Sequence, residues 1–365
     1  MEIICGKKEI SNAINIVLKA VPTKSAMAVM ECILIEASGD TISLMSNNME
    51  MGIKTDVDGM IFAPGSAALD AKIFSEIVRK LPDEDVCIAV DDAFTATITC
   101  GKSKFNIPGK DSREFSRLPE VMRDNGFTIP QFKLKDIVRQ TNFAVADNNI
   151  NKSMTGELFE IIGDKLRVTA LDGHRIAIRQ TELGKTCEGT KIIVPGKVLQ
   201  EVNKIISGTS AEDVTIYATK NHILFEFGST TIVSRLIEGT YFDVNRVLSN
   251  SHETKVIIKR DDLIESLDRS TLMVREGDRK PVIVDISDES MHIQITSGIG
   301  SMNEEVEIEK VGADIRAGFN PRFVIDALKA INEEYVTLYM SGGRAPCLIK
   351  DDEGAYVYLI LPISI

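Results

Sequence analysis

Three times along its length the chain writes the same pattern: a short strand feeding an amphipathic helix, then alternating hairpin sequence, then a second helix. The first helices are KKEISNAINIVLKAV from Lys7, KLKDIVRQTNFAVA from Lys133 and KRDDLIESLDRSTLM from Lys259. Apolar residues recur in them at three- and four-residue spacing, as at Ile10, Ile14, Val17 and Leu18. The second helices are LDAKIFSEIVRKLP from Leu69, VPGKVLQEVNKII from Val194 and FNPRFVIDALKAI from Phe319. Asp70 and Asn320 are the expected N-caps, and Pro195 and Pro321 stand at early positions where a missing N–H costs nothing. Helix starts recur about every 125 residues, far beyond a solenoid period and close to a domain's length. Three similar domains are the economical reading.

Between the helices lie alternating segments such as MECILIEASGDTISLMS, with Gly39-Asp40 as its turn, and PVIVDISDESMHIQITS. Helices plus antiparallel hairpins, without the βαβ alternation, predict an α+β class. The polar stretches 120–126 (EVMRDNG) and 249–254 (SNSHET) mark the boundaries, giving domains 1–123, 124–250 and 251–365. Both linkers are short, which favours a fixed arrangement over flexibly tethered modules.

Composition removes several function classes. The opening residues Met1 to Ile10 lack a signal peptide's apolar core, and no run approaches the roughly 18 apolar residues of a membrane span. A cytoplasmic protein is expected. The six cysteines form no C-x-x-C pair and have no histidine at ligand spacing, so reduced thiols and no metal are expected. A net charge of −12 argues against a simple basic nucleic-acid binder. The six helices with their flanks nonetheless carry about seventeen Lys and Arg against about ten Asp and Glu. Two readings stay open: ordinary solvated helix faces, or one basic lining on an acidic body that would pass DNA without reading its bases.

Catalytic motifs are incomplete. Gly101-Lys102-Ser103 resembles the end of a phosphate loop, but Ala96 stands where the first glycine is needed. Gly298-Ile299-Gly300 lacks the last glycine of a dinucleotide fingerprint. Asp91-Asp92 and Asp351-Asp352 read as hairpin tips rather than metal ligands. His174 could act as a base with Asp172, yet no nucleophile or second histidine completes a triad. No catalytic residue and no cofactor are assigned.

The central stretch KLRVTALDGHRIAI alternates on either side of Asp172-Gly173, the dipeptide of a tight hairpin. TALDGHRIAI closely resembles a segment in the middle domain of the bacterial DNA polymerase III β-subunit family, the sliding clamps. GTYFDVNRVL from Gly239, AYVYLILPISI from Ala355 and SNNMEMGIK from Ser46 are similar to further segments of that family, in the same order. The resemblance implies a head-to-tail ring homodimer whose helices line a hole for double-stranded DNA. It also implies a hydrophobic cleft for short peptides of the replicative polymerase α subunit, the clamp loader and other proteins bearing a clamp-binding motif.

Carried over by position, that cleft comprises Met154, Leu171, Gly173, His174, Arg175, Ile176, Phe242, Val247, Leu359, Leu361 and Ile363, with Asn320, Phe323 and Pro346 nearby. Phe242 stands where the family often has proline, and Ser364 where a basic residue can stand. Lys19, Lys24, Lys72, Arg79, Lys80, Arg139, Lys197 and Lys204 are the DNA-facing candidates. Phe105 and Ile107, on an expected edge strand with Lys104, would meet Leu272 and Met273 of a second copy. The rivals are a monomeric three-domain peptide-binding scaffold and a hydrolase using Asp172 and His174.

Overall fold

A computed structural model of the chain describes residues 1–147, 151–248, 251–274 and 280–365. The six expected helices are present: α1 (Lys7–Val17), α2 (Ala71–Lys80), α3 (Gln131–Arg139), α4 (Gly196–Ile205), α5 (Arg260–Thr271) and α6 (Pro321–Lys329). Helix α1 buries Ile10, Ile14 and Val17 of the expected stripe together with Ala13, while Leu18 falls in the following 3₁₀ turn and is half-buried. Asp70 caps α2 by accepting from the Ile73 amide at 2.8 Å, and Asn320 caps α6 by accepting from Arg322 at 3.0 Å. All six cysteines are free thiols, four of them buried.

The chain packs as two compact units. One comprises Met1–Gln131 with Lys204–Leu236, the other Phe132–Asn203 with Ile237–Ile365. Each is built on one long sheet, and every named strand pairing is antiparallel, in keeping with the α+β expectation. In the first unit Thr230–Arg235, from the second third of the chain, pairs with Met51–Val57 from the first. In the second, Tyr356–Ile360 from the last third pairs with Arg175–Glu182 from the second. Sheets therefore run on across the joints between thirds. The expected linker 249–254 has Ser249 and Asn250 outside the described residues.

The core of the last third shows how the helices are held. Leu263 and Leu267 of α5, with Ile325 and Leu328 of α6, pack among Val256, Val284, Val336 and Leu338 of the sheet. Each such side chain, fully buried, contributes about 1.5–3 kcal/mol relative to exposure.

The joints repeat one local design. At the first, the Asn48 amide donates to Met51 O at 3.0 Å, and the Arg235 amide to Glu50 O at 3.0 Å. At the second, Asp172 donates to Arg175 O at 3.3 Å, and Leu361 to His174 O at 2.9 Å. Asn48 Oδ1 accepts from the Glu50 and Met51 amides as Asp172 Oδ1 does from His174 and Arg175. Ser297 donates to Gly300 O at 2.9 Å in the corresponding turn of the last third.

One local expectation needs correction. Asp172-Gly173 is not a two-residue hairpin: Leu171 pairs with Ile176, and four residues lie between. The Asp172 carboxylate draws two successive amides to itself and widens the loop, with Gly173 alone at positive φ, 90°.

Candidate functional site

At the second joint the turn 172–175 meets the end of the strand Tyr356–Ile360, and the segment around Tyr241 lies beside them. Leu171, Ile176 and Leu359 are buried and pack with Leu158, Ile193, Tyr241 and Val244, while Met154 packs on this cluster from its edge. Leu171, Ile176 and Leu359 thus form a buried floor beneath the expected cleft. Leu361, next along the strand, turns outward and is 38% exposed; Val247 and Phe242 are similarly exposed. Pro346 is half-buried. Ile363 is half-buried too, tied by its amide to Gly318 O at 2.8 Å. A Cβ at Gly318 would come within 2.5 Å of Ile365 Cγ2 and 3.0 Å of Ile363 O, so a larger residue there would press on the tail and shift the exposed Ile365 side chain. The result is an apolar floor with a few exposed apolar edges, the composition of a groove for a short peptide.

The polar candidates have different duties from those expected. Arg175 is a part-buried brace. It donates to Asp172 Oδ2 at 2.9 Å, to Asp326 Oδ2 at 2.6 Å and to Phe143 O, and its guanidinium lies 4.4 Å from the centre of the Phe323 ring. Asn320 spends its side chain on the helix cap. His174 is exposed and stacks on Phe323 with ring centres 6.1 Å apart. The Asp172 carboxylate is committed to two amides and Arg175, so it does not orient the imidazole as a catalytic dyad requires.

Two supports were not singled out in the sequence. The Tyr241 hydroxyl, buried, lies 3.0 Å from Gly156 O and 3.1 Å from Thr169 O, sharing its proton between them and pinning the segment that carries Phe242 and Val247. Glu157 is fully buried, with Oε2 at 2.7 Å from Thr141 Oγ1 and Oε1 accepting from Asn142 Nδ2 at 2.6 Å. Burial pushes its carboxyl up to about 8, against the opposing pull of those two hydrogen bonds. A protonated Glu157 also fits the bonding: it can donate to Thr141, whose own proton then goes to Ile137 O at 2.8 Å. The only sequence signal was Glu157 standing, ahead of a second glutamate at Glu160, inside the otherwise apolar strand GELFEII.

Lys19, Lys24, Lys72, Arg79, Lys80, Arg139, Lys197 and Lys204 are all exposed. Lys19 lies on the 3₁₀ turn Leu18–Ala20 that extends α1, and Lys24 in the loop beyond. Arg139 already pairs with Asp136 and donates to Lys329 O. Among the dimer candidates, Phe105 is 39% exposed and Leu272 70%. Ile107 points into the core instead, and Met273 is half-buried with its sulfur near Gly300. In Ser103–Lys110, residues 103–108 pair on one side only, with Thr95–Cys100; this is the expected edge. In Ser301–Gly312, residues 301–307 likewise pair on one side only, with Ser290–Thr296. Among the described residues neither of these two segments has a second strand beside it.

Comparison with known proteins agrees along the whole chain. Family models for the N-terminal, central and C-terminal domains of the DNA polymerase III β subunit match residues 1–119, 128–243 and 245–364. The β sliding clamp of Staphylococcus epidermidis is 34% identical over 374 residues, covering 100% of this chain and 99% of its own. Among solved structures, a chain described as a DNA polymerase III β subunit from Eubacterium rectale is 55% identical with a TM-score of 0.97, each chain covered completely. The DNA polymerase sliding clamp of Bacillus subtilis is 30% identical with a TM-score of 0.97, covering 100% of this chain and 99% of that one. With three domain models in order, full-length relatives and the same fold, the chain belongs to the DNA polymerase III β-subunit family, the bacterial sliding clamps.

Proposed function

We infer that two copies of this chain close head to tail into a ring that encircles double-stranded DNA, slides along it without reading sequence, and tethers the replicative polymerase. It does so without chemistry or cofactor, as a cytoplasmic subunit with domains 1–123, 124–250 and 251–365. Enclosure does the holding, so phosphate contacts from Lys19, Lys24, Lys72, Arg79, Lys80, Arg139, Lys197 and Lys204 can stay weak and water-rich. Tethering raises the effective concentration of polymerase at the primer end, which is the origin of processivity. The cleft at the second joint takes the peptides of the polymerase α subunit, the clamp loader and other partners, with exposed Leu361, Val247 and Phe242 as its edges.

The observation that carries the ring is the unfinished third joint. Two joints are closed within the chain by strand pairing, and the edge 301–307 is left open. Among the described residues edge 103–108 is the matching open element, and a second copy placed head to tail would supply it. The internal repeat also gives the register. Ser103 follows a Gly101-Lys102 turn as Thr230 follows Gly228-Ser229, both with glycine at positive φ. Phe105 therefore corresponds to Ile232, which pairs with Ile53; Ile53 in turn corresponds to Met302. Phe105 of one copy then faces Met302 of the other, with Lys102 and Lys104 near Glu304 and Glu305.

The test is a cysteine pair, Phe105→Cys with Met302→Cys, in one chain. Mild oxidation should give covalent dimers, because directly opposed residues on antiparallel strands lie within disulfide reach. Monomers after oxidation, with solution mass also monomeric, would favour the scaffold instead.

A further inference from the structure

We propose that the first joint carries a second peptide-docking groove, selective for a partner-protein segment in which an apolar side chain adjoins Asp or Glu. The turn Asn48–Met51 and the strand end Ser234–Arg235 reproduce, bond for bond, the turn and strand end that frame the cleft at the second joint. Between them and the segment Ser116–Pro119 lies a recess of about 260 Å³. Asn47, buried, fixes its back wall by donating to Ser116 O at 3.1 Å. That volume holds one or two side chains of an extended segment and falls below the ordinary range of small-molecule pockets.

The lining differs from the cleft in a way that chooses the ligand. Arg235 occupies the position of Leu361 and is exposed, with no ion pair among the described residues. Arg117 stands opposite, paired with Glu36 at 2.6 Å yet well exposed. Gly52 replaces Ile176, and Leu118 fills the space, since a Cβ on Gly52 would fall 1.9 Å from Leu118 Cδ2. Met49 takes the place of Gly173 at φ 74°, a conformation unfavourable for methionine, and holds its side chain 52% exposed at the mouth. Thioether and guanidinium together suit an apolar group beside a carboxylate. Assigning a peptide, rather than another anion, rests on the reading of the second-joint cleft as a peptide site.

The experiment titrates the full-length protein against a fluorescein-labelled Glu-Leu-Asp-Met-Glu amide, its Lys-Leu-Lys-Met-Lys counterpart, and a Gln-Leu-x-Leu-Phe type peptide for the cleft. The acidic peptide should bind with a dissociation constant below about 1 mM, and the basic one should not. Arg235→Glu should weaken the acidic peptide by about tenfold or more, Arg235→Gln by less, and Leu361→Ala should leave it unchanged while weakening the cleft peptide. Melting temperature confirms folding of each variant. Absence of binding, binding indifferent to Arg235→Glu, or loss confined to Leu361→Ala overturns the groove. Should the cleft peptide alone fail while the acidic peptide behaves as stated, the cleft reading falls and the groove stands.

Discussion

The Leu361 amide donates to His174 O at 2.9 Å, the last rung that joins the C-terminal strand to the hairpin it extends. Beyond that rung the Leu361 side chain leaves the core and stands 38% exposed, at the edge of the proposed cleft. Peptide affinity concentrates in a few apolar anchors, so Leu361→Ala should weaken a Gln-Leu-x-Leu-Phe type peptide by more than about tenfold. His174→Ala should cost less, because an exposed ring at the rim mainly orients the peptide. Fluorescence anisotropy of a labelled peptide reads both; equal losses would move the cleft's centre away from Leu361. Deleting Pro362 to Ile365 also removes the bond from Ile363 to Gly318, so its effect includes release of the strand end.

Arg175→Ala should destabilise the protein by about 2 kcal/mol or more, since it strands Asp172 and the Phe143 carbonyl, each matched to a charged donor. Urea denaturation checks it. An unchanged midpoint would mean that solvent replaces the guanidinium without penalty.

Glu157 predicts an unusual pH slope. Its folded pKa lies near 8, above the ordinary carboxyl value of 4.5. Between those pH values the native state keeps a proton that the unfolded chain has lost, so stability falls as pH rises through that window. The limit is about 1.4 kcal/mol per pH unit, and the slope vanishes above pH ~8. Glu157→Gln should remove this slope and gain on the parent at pH ~8 and beyond. Denaturation midpoints from pH ~5 to ~9 decide it; parallel curves for parent and variant would contradict a buried neutral acid.

The helices, their caps and the antiparallel class were legible because each is written locally: the stripe of α1 or the Asn320-Pro321 start needs only a few neighbours. The braces were not. Arg175 finds Asp326 151 residues away, and nothing near Arg175 distinguishes a part-buried guanidinium from one at a rim. Ile107 was misplaced for a related reason. It shares a strand face with Phe105, two residues away, yet Ile107 is buried and Phe105 is 39% exposed, a difference in what covers each part of that face that alternation alone does not reveal. Glu157 is masked by apolar residues that would suit a core strand equally well.

Lys19→Glu, Lys72→Glu and Lys197→Glu together should impair retention on DNA while leaving the melting temperature nearly unchanged, because all three side chains are exposed. Arg139 is left out, since its contacts with Asp136 and Lys329 mix structure with charge. A melting temperature lowered as far as by a core substitution would show these groups to be structural.

The most direct measurement loads the protein with its clamp loader onto nicked circular DNA, then linearises the DNA and follows what stays bound. A sliding ring persists on the circle and runs off the free ends, while equilibrium binding to short duplexes stays weak and salt-sensitive. Stable retention on linear DNA with open ends would contradict encirclement.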